Sequence, residues 1–314
     1  MAPHRLKRSK FATLRQALLR AILQSISNDV LDTAKAAAYS GMLMLFPAFL
    51  VATTILALLP SGDGATNTLL DELRGAAEQF LPADTMSLLL SYFENQRSFS
   101  LQVLLSATSL SVVAAWGVMT TLMDGFRRAY RLPANSWGKW EQRLRALLLV
   151  PIALVPLSLA TLVVIFGHPI EDWMVLHSEH QLHTAVLILW RLARWTLAVV
   201  TSITVLGAVY HFGTNSHERW PRVAPGAITA TFIWFPTTLA FGLYVTSVAD
   251  YSVIYGSLGT AIATLVWLYL TSYSVLLGAQ LNGVLYRERR KATIHQNAAH
   301  HLEPLQANLP DPLM

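Results

Sequence analysis

The feature that most constrains the fold is a long uncharged stretch in the last quarter of the chain. Residues 251–286 contain no Asp, Glu, Lys, Arg or His, and the basic cluster Arg287-Glu288-Arg289-Arg290-Lys291 follows at once. A helix needs about 20 apolar residues to cross the ~30 Å hydrocarbon core of a bilayer, so this stretch is long enough to cross. Its first half is rich in small residues, which allow neighbouring helices to approach closely. We interpret it as the last membrane helix of a polytopic protein.

The composition supports a membrane protein and excludes several kinds of chemistry. Charged residues make up 13% of the 314 residues and hydrophobic residues 54%, whereas an ordinary soluble domain carries about 25% charged residues. The chain contains no cysteine, which excludes disulfides, thiolate metal sites and a cysteine nucleophile. Its basic residues lie mainly beside the apolar stretches, where they fix topology and meet anionic lipid headgroups. We therefore expect its partners to be membrane lipids and not nucleic acid.

Apolar stretches predict an all-α, polytopic fold with six transmembrane helices. The stretches cover residues 36–59, 101–123, 146–167, a part of 184–213, 223–248 and 251–286. Prolines inside three of them are expected to bend the helices, because proline removes an intrahelical hydrogen bond; they are Pro47, Pro151, Pro156 and Pro236. A basic, amphipathic segment at 1–35 precedes this membrane domain, 36–286, and a basic and then disordered tail at 287–314 follows it.

The sign of the charge between the stretches predicts the orientation. The N-terminal segment, the loops after the second and fourth stretches and the C-terminal segment are basic, whereas the other loops are acidic or poor in bases. Basic segments stay in the cytoplasm, so both termini are expected there. The first outer loop, residues 60–100, carries apolar residues at helical spacing, which predicts amphipathic helices at the outer surface.

Short segments in and beside the first, third, fifth and sixth stretches carry a resemblance to a known family. They are Ala36-Ala37-Ala38-Tyr39, Leu45-Phe46-Pro47, Trp140 with Arg143, Pro225-Gly226-Ala227, Trp234, Phe241, Tyr255-Gly256-Ser257-Leu258-Gly259, Trp267-Leu268-Tyr269 and Leu277-Gly278-Ala279-Gln280-Leu281-Asn282. In their order and spacing the chain resembles the BrkB/YihY family of bacterial inner-membrane proteins, formerly mislabelled as ribonuclease BN. The resemblance implies a six-helix protein of the bacterial cytoplasmic (inner) membrane. It also implies a link to serum resistance or to the movement of envelope lipids.

The chain departs from the family pattern at two places. The family usually has Gly-Ala-Glu-Leu-Asn near its C-terminal end, and this chain has Gln280 in place of the acid. The family usually has a serine before the Leu-Phe-Pro of the first stretch, and this chain has Gly41-Met42-Leu43-Met44 there. A mechanism that needs a carboxylate at position 280, such as proton coupling, is therefore not expected here.

Arg191 and Arg194 are the sharpest candidates for a binding site. They lie three residues apart, so we expect them to share a helix face at the outer end of the fourth stretch, against the positive-inside preference. Charge at membrane depth is costly and usually faces a cavity or a partner, and the planar guanidinium suits phosphate oxygens. The pair indicates a site for the anionic headgroup of a lipid. The alternative is that the helix begins at Trp195 and both arginines extend to the outer interface.

Two further sets of residues are candidates for a path through the bundle. Asp32 and Lys35, at the inner end of the first stretch, are candidates for a cytoplasmic entrance; a capping role for Asp32, with Lys35 as its ion-pair partner, is the simpler alternative. Polar and small residues in the helices indicate a polar path, and helix packing is the alternative for them. This set is Tyr39, Tyr255, Gly256, Ser257, Gln280 and Asn282.

The chain lacks the motifs of an enzyme or a cofactor site. It has no G-x-S-x-G, P-loop or HExxH sequence and no cluster of acids suited to a metal. His177, His180 and His183 recur at three-residue spacing, but zinc sites on helices favour a spacing of four. We therefore expect no enzyme activity, ribonuclease activity included, and neither a cofactor nor a metal.

Two hypotheses for the function follow from these observations. In the first, the helices form a conduit or flipping path for a lipid or lipid-like envelope molecule. In the second, the protein is a non-transporting membrane scaffold that docks an envelope protein partner through residues 60–100. Lipid translocation in proteoliposomes and cross-linking from that loop in intact cells distinguish the two.

Overall fold

α-Helices account for nearly all of the chain that the computed structural model describes, which is residues 10–57, 101–133, 138–165, 183–216, 218–247 and 257–307. The helices in these ranges are α1 (Lys10–Ser27), α2 (Val30–Ala57), α3 (Leu101–Tyr130), α4 (Lys139–Ile165), α5 (His183–Gly213), α6 (Trp220–Ser247) and α7 (Ser257–Ala307). The same ranges contain no β-strand. The predicted all-α class is confirmed.

Five of the described helices are long and apolar enough to cross a membrane. The segments are Leu105–Tyr130, Trp140–Ala160, Leu187–Gly213, Trp220–Val245 and Ala261–Ile294. They fall on the second to sixth of the predicted stretches. Fewer than a third of the residues in each are buried inside the protein, and the exposed ones include many large apolar side chains. Such apolar surfaces are stable in contact with lipid chains but not in contact with water.

The predicted first span lies in α2, which is not among these five segments. The 28 residues of α2 extend about 42 Å at 1.5 Å per residue, which exceeds the thickness of the hydrocarbon core. The count of six spans stays a prediction. The bends expected at the prolines also stay predictions; Pro47, Pro151, Pro156 and Pro236 all lie within helices, and so does Pro225.

Helix α7 lies at the centre of the bundle and contacts α1, α2, α3 and α6. The largest fully buried side chains concentrate near one end of the bundle, and they include Phe126, Tyr130, Tyr210 and Leu276. We call this end, formed by residues 126–131, 205–216, 218–226 and 274–291, the basic end, because arginines at the end of α3 and within α7 lie there. The other end, which contains Arg194 and Gly242, is the opposite end.

The N-terminal segment forms a helix that packs on α7. Ala17 and Ala21 of α1 are buried against Leu277 and Leu281, whereas the larger apolar side chains Leu19, Ile22, Leu23 and Ile26 are exposed. Small residues therefore make the contact between α1 and α7. The placement of this segment at the membrane surface stays a prediction.

The predicted disordered tail needs correction. Helix α7 does not stop at the basic cluster but continues to Ala307. The segment 292–307 contains four alanines, two leucines and two glutamines, which favour the helix. The first outer loop, residues 60–100, with its predicted amphipathic helices, lies outside the described residues.

Candidate functional site

Asn282 connects α7 to the first turns of α6. Its side-chain Oδ1 accepts a hydrogen bond from the backbone N–H of Gly226, and its Nδ2 donates to the carbonyl of Val223, both at 2.8 Å. The side chain is fully buried. A Cβ placed on Gly226 would lie closer than 3.0 Å to the carbonyl oxygen of Gly278, so the two helices meet here backbone to backbone.

Gln280 points from α7 towards the connection between α1 and α2. Its Oε1 accepts a hydrogen bond from Asn28 Nδ2 at 3.2 Å. Gln280 and Asn282 are both buried, but helical residues two positions apart are separated by about 200° around the axis, so they lie on different sides of α7. Both residues therefore make contacts that join helices, as the helix-packing alternative expected. The structure does not bring the two residues together in one polar path.

Tyr210 is a part of the basic end that the sequence analysis missed. Its hydroxyl donates to the carbonyl of Val275 at 2.6 Å, and its ring makes an edge contact with Phe126 at 5.3 Å between centroids. The side chain is fully buried. A Cβ added to Gly278 would lie 2.6 Å from the Tyr210 hydroxyl. This small residue is the signal in the sequence that a bulky neighbour lies there.

Ionic contacts complete the basic end. The buried carboxylate of Glu218 accepts a bond from Arg289 Nη2 at 2.9 Å and lies 3.5 Å from Arg222 Nη1. On the far side of α7, Arg20 Nη1 pairs with Glu288 Oε1 at 2.6 Å. The arginines after residue 286 therefore fix α7 to its neighbours in addition to flanking a membrane span.

Arg191 and Arg194 differ in their environments. Arg194 is buried, with 5% of its surface exposed, whereas Arg191 is exposed. The ring of Trp195 contacts Phe235 of α6 at 5.7 Å between centroids, so α5 and α6 pack together at this level. Arg194 precedes the end of α5 at Gly213 by 19 residues, about 28 Å along the helix axis and thus nearly the full thickness of the hydrocarbon core.

The other predicted site residues are dispersed. Asp32 lies in the first turn of α2 and pairs with Lys35 at 2.9 Å, and both side chains are exposed; this is the geometry of the simpler alternative. The hydrogen bond and charge of Asp32 raise the pKa of Lys35. Tyr39 is 63% exposed and therefore does not line the interior of the described bundle.

Several predictions concern residues outside the described part of the chain. Tyr255, Gly256, His177 and His180 lie there, and Ser257 is known only as the first residue of α7. Within the described ranges no group of three or more His, Asp or Glu residues is arranged to hold a metal ion.

The sequence pattern of a protein family described as "Virulence factor BrkB" matches residues 21–302. The chain belongs to this BrkB family. The match begins in α1 and ends in the extension of α7, so it includes the contacts of Asn282, Gln280 and Tyr210 described above. The family assignment and the apolar helices together make the protein an integral membrane protein.

Curated relatives of the chain are distant in sequence. The "Putative ribonuclease-like protein YfkH" of Bacillus subtilis is 28% identical over 264 residues, which cover 81% of this chain and 89% of that protein. A "UPF0761 membrane protein" of Chromohalobacter salexigens is 28% identical over 293 residues, covering 92% of this chain and 67% of that protein. A UPF0761 membrane protein of Idiomarina loihiensis is 33% identical over 87 residues, 28% of this chain and 31% of that protein. No solved structure matches the chain.

These names agree with a BrkB-family membrane protein. The ribonuclease-like name belongs to the Bacillus relative. For the present chain, the absence of enzyme activity remains a prediction from its motifs, and the site residues remain candidates judged by their geometry.

Proposed function

We propose that this BrkB-family protein moves a lipid or lipid-like envelope molecule across the bacterial cytoplasmic (inner) membrane, with both of its termini in the cytoplasm. The observation that carries the proposal is the burial of Arg194 within the apolar segment Leu187–Gly213. A guanidinium in the membrane is costly and is normally directed at a partner, a cavity or a substrate. Its planar fork suits the phosphate of an anionic headgroup.

The neighbouring arginine supports a route from the surface to this site. Arg191 is exposed and lies about one helical turn before Arg194. It is therefore nearer to the start of the apolar segment Leu187–Gly213. A headgroup would meet Arg191 first and Arg194 second, and the charge attraction of both residues would act on the same anion. In this scheme the two arginines have different roles, because Arg191 is exposed at the protein surface and Arg194 is buried in its interior.

The two ends of α6 differ in their surroundings, since Gly242 at the opposite end is exposed and Gly226 at the basic end is buried. A Cβ added to Gly242 of α6 would have no atom of the described residues within 4 Å, whereas Gly226 and Gly278 at the basic end are in contact with each other's backbone. In this scheme an envelope lipid enters between helices near Arg194. The hydrogen bonds made by Asn282 and Tyr210 at the basic end would stay intact during this entry.

Translocation in proteoliposomes tests the proposal. The purified full chain is reconstituted with a fluorescently labelled anionic phospholipid, and the transfer of label between leaflets is compared with that in empty vesicles. Arg194→Gln is expected to slow translocation about tenfold, because a hydrogen bond to a charged group is worth about 1.5–3 kcal/mol. Arg191→Gln is expected to have a smaller effect.

Arg219→Gln is the matched control, since Arg219 is an exposed arginine at the basic end and its loss changes the net charge equally. Equal rates in protein-containing and empty vesicles would contradict transport. An unchanged rate for Arg194→Gln would remove the arginine from the mechanism. The scaffold hypothesis depends on residues 60–100, which lie outside the described residues, and stable cross-links from that loop without translocation would favour it.

A further inference from the structure

Arg143, in the second turn of α4, lies beside two tryptophan rings. Its Cζ atom is 5.3 Å from the ring centroid of Trp140 and 5.9 Å from that of Trp116 in α3. Trp116 packs against the buried core, whereas Trp140 is 80% exposed. A cation within about 6 Å of a tryptophan centroid is attracted to the face of the ring. The two rings therefore hold the exposed guanidinium of Arg143 at the surface that α3 and α4 share.

The N–H groups of Arg143 are not used by the described part of the chain. Within those ranges Arg143 makes neither a hydrogen bond nor an ion pair. Glu141, two residues before it, pairs with Arg145 at 2.7 Å. Asp124 of α3 lies 3.7 Å from Arg127. Attraction to the two rings does not consume hydrogen-bond donors, so the planar fork of Arg143 can bind an acceptor from outside the chain.

An exposed apolar stripe leads from Arg143 towards the middle of the membrane. Leu147 and Leu154 follow at helical spacing on the same face of α4, and 42% and 41% of their surfaces are exposed. The distance from position 143 to position 154 is about 16 Å along a helix. This is about half of the ~30 Å hydrocarbon core. A cation at one end of such a stripe fits the headgroup and one acyl chain of a phospholipid in a single leaflet.

We infer that Arg143, held by Trp116 and Trp140, binds the phosphate of an anionic phospholipid whose acyl chain lies along Leu147 and Leu154. The apolar segment Trp140–Ala160 begins beside Arg143, and tryptophan is enriched at the depth of lipid headgroups. The positive charge of Arg143 favours a headgroup with a net negative charge over a zwitterionic one. The site is separate from Arg194, and the inference does not depend on transport.

Thermal unfolding of the purified full chain in detergent tests the site. The midpoint temperature is measured with increasing phosphatidylglycerol, with phosphatidylcholine, and with inorganic phosphate against chloride at equal ionic strength. Phosphatidylglycerol is expected to raise the midpoint more than either of the other two. An equal rise with phosphatidylcholine would overturn the preference for an anionic headgroup, and an equal rise with inorganic phosphate would overturn the docking of a lipid.

Variants of Arg143 test the contact with phosphate. Arg143→Gln is expected to raise the apparent dissociation constant for phosphatidylglycerol about tenfold, as for the loss of a hydrogen bond to a charged group. Arg143→Lys should recover part of the affinity, because it keeps the charge and the attraction to the rings but lacks the planar fork.

Variants of Trp140 test whether the rings position the arginine. Trp140→Leu keeps an exposed apolar side chain without a ring, and it is expected to raise the dissociation constant about two- to fivefold. Trp140→Phe should recover part of this loss, since it restores a ring with a weaker attraction for cations. Equal affinities for Trp140→Leu and the wild type would show that Trp140 does not position Arg143.

Arg290→Gln is the control, because it removes an exposed arginine from the basic end. Each rise is measured from the variant's own midpoint without lipid, so a loss of stability is not mistaken for a loss of binding. Arg290→Gln should keep the full rise with phosphatidylglycerol. If Arg143→Gln also keeps it, or if Arg290→Gln loses as much of it as Arg143→Gln does, the site at Arg143 is wrong and the effect comes from diffuse charge.

Discussion

The glycines at the two ends of helix α6 differ in what surrounds them. At the basic end, Gly226 and Gly278 face each other, and a Cβ on either would lie closer than 3.0 Å to the carbonyl oxygen of the other. At the opposite end, a Cβ on Gly242 would meet no described atom within 4 Å. Both Gly226 and Gly242 belong to the single helix α6, so the difference arises from the packing of its two halves and not from different helices.

This difference shows where a membrane bundle obtains its stability. Between helices in lipid there is no hydrophobic drive for association, so close backbone contact and polar bonds decide which regions hold together. The basic end has both, in the glycines of α6 and α7 and in the bonds of Asn282 and Tyr210. At the opposite end Arg194 is buried and Gly242 is exposed.

Gly226→Ala is the change that should break the close packing most strongly. The added methyl group would overlap both the carbonyl of Gly278 and the side chain of Asn282, and overpacking of this kind costs about 3 kcal/mol when backbone must move. We expect the free energy of unfolding in detergent to fall by about that amount, measured by chemical denaturation. Gly207→Ala is the control, because the three described atoms nearest to its Cβ all belong to the Trp220 ring, the first of them at 3.4 Å. A stable Gly226→Ala protein with intact Asn282 bonds would disprove the backbone contact.

Asn282→Ala should have the next largest effect. It would leave the N–H of Gly226 and the carbonyl of Val223 without their partner in a buried place. Single side-chain bonds between membrane helices are worth about 0.6 kcal/mol and at most ~1.7, so two are expected to cost about 2 kcal/mol when the unpaired groups stay buried.

Asn28→Ala is the comparison for this variant, since Asn28 makes one longer bond, 3.2 Å, to Gln280 and is only partly buried. Its unfolding free energy should fall by about 0.5 kcal/mol. The same assay measures both variants. Equal losses of unfolding free energy for Asn28→Ala and Asn282→Ala would mean that the burial of Asn282 and its second hydrogen bond add nothing to stability.

The membrane character and helices of this fold were predictable because they depend on local composition. A stretch such as 251–286 is apolar whatever its neighbours are, and the signs of the loop charges can be read one loop at a time. The continuation of α7 to Ala307 was not predicted. A charged cluster usually marks the end of a membrane span, but it does not have to end the helix, because a helix can continue in water.

The candidate site was harder to predict because it depends on which helices become neighbours. Pro225-Gly226-Ala227 and Gly278-Ala279-Gln280-Leu281-Asn282 stand in the sequence as separate segments, and only the structure shows that they contact each other. Arg191 and Arg194 are spaced as neighbours on one face, yet three residues still turn the helix by about 60° from alignment. That rotation is enough to bury one arginine and expose the other.

Gly242→Ala is the smallest expected effect and the most direct test of the comparison. With no atom of the described chain within 4 Å of the added methyl group, the expected consequence is the better helix propensity of alanine, so the free energy of unfolding should rise by about 0.5 kcal/mol. The identical substitution at Gly226 is expected to lower it by about 3 kcal/mol. Measured in one denaturation series, the two variants should therefore differ in sign, although they lie on the same helix and change the same atoms. If Gly242→Ala instead destabilises the protein as much as Gly226→Ala does, both ends are packed with equal closeness.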